Sequence, residues 1–108
     1  MGRSEGRTRT ALSVTVIFTR SARSELLAAQ DWYESEVPGL GRRFRAEIDT
    51  AVARICANPV QFPVVHRDIR RVIVRRFPHL LFFVLEDRAA FVLACFHASR
   101  DPGDWQSR

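Results

Sequence analysis

The side chains able to act on a polar substrate gather in the last third of the chain, where Arg76, His97 and Arg100 stand among apolar strands. An imidazole titrates near neutrality and can give or take a proton, and a guanidinium holds a phosphate in a two-pronged fork. These three would be the catalytic set if the chain cleaved RNA through its 2′-hydroxyl, a reaction that needs a base, an acid and cations for the developing phosphate charge. The set is thin. All 17 basic residues are arginine, against 12 acidic residues and a net charge of +5, so lysine chemistry is absent. The single tyrosine, Tyr33, falls on the buried stripe of a helix, and the residue after His97 is Ala98, not an aromatic. Binding is therefore the better reading, with no catalytic residue expected. The structural reading of His97 is a strand-end residue hydrogen-bonded to the chain turn beside Asp101-Pro102. Cys56 and Cys95 lack CxxC spacing and lie in apolar settings, which predicts reduced, buried thiols. With His66, His79 and His97 scattered, no metal site and no cofactor are expected.

Recognition chemistry is easier to find. Residues 63–77 hold five arginines against one aspartate, a patch for an anionic partner. Within it Arg70, Arg71, Arg75 and Arg76 alternate with Val72, Ile73 and Val74. On a strand, Arg71 and Arg75 would share one face, and Arg70 and Arg76 the other. Such a strand either protects a sheet edge with charge or presents guanidinium groups on two sides. Trp32 and Trp105 are expected to seal helix–sheet junctions, the alternative being platforms on which bases stack. His79 is expected to pack at the start of a strand.

The elements that position these residues follow from periodicity. Residues 1–12 are polar and aperiodic and read as a flexible leader to a single domain over 13–108. Val14–Phe18 reads as a strand. Ser21 is the expected N-cap of a helix whose stripe is Ala22, Leu26, Ala29, Tyr33 and Val37. Pro38-Gly39-Leu40-Gly41 ends it, and a second helix carries Leu40, Phe44, Ile48, Ala51 and Ile55 until Asn58-Pro59 stops it. Strands are expected over Ile69–Phe77, His79–Glu86 and Ala89–His97, the last two joined tightly at Asp87-Arg88. The order β-α-α-β-β-β implies an α+β fold, a largely antiparallel sheet with a helical hairpin on one face. The last two strands are apolar at nearly every position, the pattern of strands covered on both sides. Two helices cover one face, so the other is masked by the chain termini or offered to a partner. No stretch approaches the length of a membrane span and no apolar leader is visible, which predicts a cytoplasmic protein with no membrane contact.

Ala28, Trp32-Tyr33-Glu34, Pro38-Gly39-Leu40-Gly41, Phe44, Asn58-Pro59, Phe62-Pro63, Arg70-Arg71, Arg75-Arg76-Phe77-Pro78, His97, Arg100-Asp101-Pro102 and Trp105 together resemble the RelE/ParE superfamily. These are the toxins of type II toxin–antitoxin pairs, also known as plasmid stabilisation proteins. The match runs from Val14 to Trp105 and looks like the ParE branch. The resemblance implies a toxin that inhibits DNA gyrase by binding and is neutralised, in a hetero-oligomer, by a cognate antitoxin with an acidic C-terminal arm. The implied contact residues for target or antitoxin are Arg70, Arg71, Arg75, Arg76, Phe82, Phe91, Arg100 and Trp105. The RelE branch implies instead a ribosome-dependent mRNA endonuclease, for which Arg76, His97 and Arg100 would serve. A third reading is a non-toxic homologue that binds antitoxin and regulates its operator. His79 stands where family members often carry tyrosine.

Overall fold

A computed structural model describes residues 13–99. Strand β1 (Thr15–Phe18) leads into helix α1 (Arg20–Glu36), helix α2 (Leu40–Ala57) and a 3-10 turn at Pro59–Gln61. Strands β2 (Val64–His66), β3 (Ile69–Ile73), β4 (His79–Glu86) and β5 (Ala89–His97) follow. The sheet order is β1-β5-β4-β3-β2, antiparallel throughout except that β1 runs parallel to β5. The α+β plan matches the sequence expectation with one addition, the short edge strand β2. It joins β3 through Arg67-Asp68, where Arg67 adopts φ 53°. A left-handed turn built on arginine carries no glycine or asparagine to announce it.

Helix α1 is capped by Thr19, not Ser21: the Thr19 Oγ1 accepts from the Ala22 N–H at 3.2 Å. Its core face is Ala22, Leu26 and Tyr33, and α2 buries Phe44, Ile48, Ala51 and Ile55. Val37 leaves the expected stripe because it is the C-cap, extended and exposed. The hairpin between the helices closes on Glu34, whose carboxylate accepts from the Gly39 N–H at 2.9 Å and the Gly41 N–H at 3.0 Å. A carboxylate at the first turn of α2 also suits the helix dipole. These backbone donors, Gly39 first, hold the Glu34 carboxyl below its ordinary pKa. Gly39 takes φ 88°, and a Cβ on Gly41 would lie 2.6 Å from the Gln30 carbonyl, so each glycine is needed for a different reason.

Both faces of the sheet are apolar. On the helix side Val72, Val74, Leu81, Phe83, Ala90, Val92 and Cys95 pack against the two helices. On the opposite side Ile69, Phe82, Ala94 and Phe96 form a second buried cluster with Leu80, Val84 and Leu93 around it.

The register explains how one strand serves both clusters. Phe83 pairs with Val92 while Phe82 pairs with Ala94, leaving Leu93 as an extra residue, a β-bulge. The bulge reverses the alternation of β5: Ala90 and Val92 face the helices before it, and Cys95 does so after it. The Cys95 N–H donates to the Glu25 carboxylate of α1 at 3.0 Å, and the Thr19 N–H donates to the Val92 carbonyl at 3.0 Å. Helix α1 is thus fastened to the irregular part of the strand. His97, two residues beyond Cys95, consequently lies on the helix side.

Candidate functional site

His97 and His79 are directly opposite on neighbouring strands, with ring centroids 5.4 Å apart. His79 is buried among Tyr33 and Phe44, and its Nδ1 lies 3.2 Å from the Tyr33 hydroxyl. Burial, reinforced by His97, drives its pKa down to about 4, so it is neutral at physiological pH. This is the packing role expected at the strand start. His97 is exposed and accepts the Ser99 N–H on its Nδ1 at 3.2 Å, with the Ser99 Oγ at 2.8 Å. Accepting a backbone N–H requires a lone pair on Nδ1, so the neutral ring carries its proton on Nε2. The bond to the following turn has the form expected of a structural strand-end histidine.

Around these rings opens a cavity of about 350 Å³ lined by Ala29, Trp32, Tyr33, His79, His97 and Ser99. Trp32 does not seal a helix–sheet junction; it is 58% exposed and sits edge-on to Tyr33 at 5.1 Å. Next to this cavity is a larger cleft of about 690 Å³ lined by Tyr33, Leu40, Arg43, Ala46, Glu47, Arg76, Phe77 and Pro78. Tyr33 lines both. The sequence placed this tyrosine in the core, which is correct for the ring, but its hydroxyl reaches His79 between the two cavities.

The arginine cluster separates into different roles. Strand β3 stops at Ile73: the Val74 N–H still reaches the His79 carbonyl at 3.0 Å in the register of the ladder, but the His79 N–H donates to the Phe77 carbonyl at 2.8 Å and does not return to Val74, which closes the connection to β4. Arg75 and Arg76 are therefore in a turn, and the strand alternation does not extend to them. Arg76 takes φ 68°, a strained conformation for a residue with a Cβ, and its side chain is 84% exposed, with Nη1 3.9 Å from Glu47. Arg70 is a structural clamp whose Nη1 donates to the Phe62 carbonyl at 2.6 Å. Arg71 lies partly buried in β3, and its Nε is shielded without a hydrogen-bond partner. Phe82 is only 2% exposed, inside the second cluster. Phe91 is half-buried opposite Ile17 of β1 and Val84 of β4. Arg100 and Trp105 lie outside the described residues.

For the nuclease set, Arg76 and His97 line two adjacent cavities that share Tyr33 and do not line one site together. Among the described residues no three His, Cys, Asp or Glu side chains converge as metal ligands. Burial, with Glu25 nearby, pushes the Cys95 thiol up to about 12, which makes it a packing residue and not a nucleophile. No described helix is long and apolar enough to cross a membrane.

Comparison with known proteins agrees with this architecture. No curated protein matches the chain. A solved structure described as the chromosomal ParDE TA system from P. aeruginosa superposes with a TM-score of 0.70 at 18% identity, covering 79% of this chain and 96% of that one. The family model for the ParE toxin of the type II toxin-antitoxin system, parDE, matches residues 16–102. The chain belongs to the ParE toxin family.

Proposed function

We propose that the protein is a toxin that acts in the cytoplasm by binding DNA gyrase and is held inactive by a cognate antitoxin with an acidic C-terminal arm. The observation that carries a binding mode of action is the state of the two histidines. His79 is buried and tied to Tyr33, while His97 is bonded through Nδ1 to Ser99, and Arg76 lines a different cavity. A phosphodiester cleavage needs an acid, a base and a cation around one phosphate, and among the described residues this arrangement does not supply that trio. Family membership supports the toxin role, and the likeness to a chain of a ParDE toxin–antitoxin system supports a partner antitoxin. The exposed Arg43, Arg75 and Arg76 offer fork-shaped donors to an acidic arm.

The test is expression from an inducible promoter with and without the neighbouring small gene. Growth arrest relieved by co-expression, with purified protein blocking gyrase supercoiling and messenger RNA left intact, is the expected result. Arrest with cleaved messages and unaffected supercoiling would replace this reading by the endonuclease one, which the exposed imidazole of His97 favours. No arrest would leave the non-toxic regulatory homologue.

A further inference from the structure

We propose that the surface on either side of Tyr33 binds a single-stranded nucleic acid, with one base stacked on Trp32 and its flanking phosphate between Arg43 and Arg76. This goes beyond the gyrase reading and assumes nothing about the toxin's target.

Two adjacent cavities carry it. Four of the six residues lining the smaller one, Trp32, Tyr33, His79 and His97, present aromatic rings. Trp32 is held by its edge contact with Tyr33 while most of its surface stays open. None of the lining residues is Asp, Glu, Arg or Lys. A pocket of rings suits a planar heterocycle, because every base has a π-face to stack. The Ser99 N–H fixes the His97 tautomer with a proton on Nε2, a donor for a base-edge acceptor. An amphipathic acidic helix would need an aliphatic groove instead, and here Ala29 is the one aliphatic contributor.

The larger cleft supplies the complementary half. Its apolar lining is Leu40, Ala46, Phe77 and Pro78, and its charged lining is Arg43 and Arg76 against the single acid Glu47. Arg76 and Glu47 form an ion pair at 3.9 Å, too long for a hydrogen bond, and the 84% exposed guanidinium has donors that an incoming phosphate can reach. The left-handed backbone of Arg76 directs that side chain from the turn before Phe77-Pro78. Since Tyr33 lines both cavities, a base in one and a phosphate in the other are neighbours across a single ring.

The experiment is fluorescence anisotropy of end-labelled ribo- and deoxyribo-oligonucleotides of about ten residues titrated with the purified chain at several salt concentrations, with AMP and a polyglutamate peptide as competitors. Binding to the oligonucleotide should fall with salt with a log–log slope of about −0.7, the value for one phosphate on a single strand. Trp32→Ala should weaken it roughly tenfold with the slope unchanged. Arg76→Gln should weaken binding and make the slope shallower, and Arg23→Gln, on the exposed face of α1, should change neither. All three side chains are exposed, so thermal melts should overlay that of the unchanged protein. The ribo and deoxyribo arms distinguish RNA from DNA as the source of the strand. Absence of binding at low salt, indifference to Trp32→Ala, equal competition by polyglutamate, or AMP binding as tightly as the oligonucleotide would each overturn the proposal.

Discussion

Three consecutive side chains, Trp32, Tyr33 and Glu34, point in three directions and do unrelated work. Trp32 meets solvent, Tyr33 enters the core and reaches His79, and Glu34 caps α2 through Gly39 and Gly41. The motif is thus a helical junction, and its partners cannot be inferred from spacing alone. His79 gives the residue-scale prediction. The groups facing it are His97 from β5, Tyr33 from α1 and Phe44 from α2, none of which is an anion. Its folded pKa of about 4 lies below the ordinary 6.5, so the unfolded chain binds the extra proton between those values. Stability contributed by the neutral ring is complete above about pH 6.5 and is lost as pH falls toward 4. The shift corresponds to roughly 3 kcal/mol at full effect. Urea midpoints measured from pH 7 to pH 4 should fall steeply for the wild type and less steeply for His79→Gln. Parallel profiles would show that His79 is not the group responsible.

At the scale of elements, both helices were legible because their stripes repeat at helical spacing and their ends carry Pro and Gly. The first strand and the Asp87-Arg88 hairpin were equally plain. What escaped reading is irregular backbone. Strand β2 is hidden by an arginine in a left-handed turn, and β3 ends early because the His79 N–H turns to the Phe77 carbonyl. The bulge at Leu93 lies inside an unbroken apolar run, so no alternation existed in the sequence for it to interrupt. That bulge is why His97 could be singled out by type but not placed beside His79. Two predictions belong here. Glu25→Ala removes the acceptor of the partly buried Cys95 N–H and should cost about 1–3 kcal/mol, with Glu25→Gln much closer to wild type. Gly41→Ala would ordinarily favour a helix by up to about 1 kcal/mol. Here the new methyl meets the Gln30 carbonyl at 2.6 Å and the helices must part, so thermal denaturation should show a net loss of roughly 1–3 kcal/mol.

For the whole molecule, the question is which of its many arginines act at a distance. Several are committed to the fold. Arg70 clamps the loop at Phe62, Arg54 stacks on the Phe62 ring at 5.0 Å, and Arg45 bridges Gln30 and Asp49. The turn arginines Arg75 and Arg76 and the α2 residue Arg43 are instead exposed at one end of the sheet. Type and charge alone did not separate these groups, since Arg70 and Arg75 look alike in a strand pattern and only the early end of β3 divides them. Charges free at a surface steer encounter, whereas charges bonded to carbonyls hold structure. If an acidic antitoxin arm is the partner, its association rate should fall with ionic strength, and Arg75→Gln should slow association several-fold while changing dissociation little. Arg70→Gln should behave oppositely. It should lower the unfolding midpoint by leaving the Phe62 carbonyl without its donor, and slow association no more than the loss of one charge requires. Stopped-flow association kinetics and thermal melts on the two variants separate these outcomes. Equal effects of both substitutions on the association rate would mean that the basic segment acts as an undivided charge and that the division made by the end of β3 has no functional consequence.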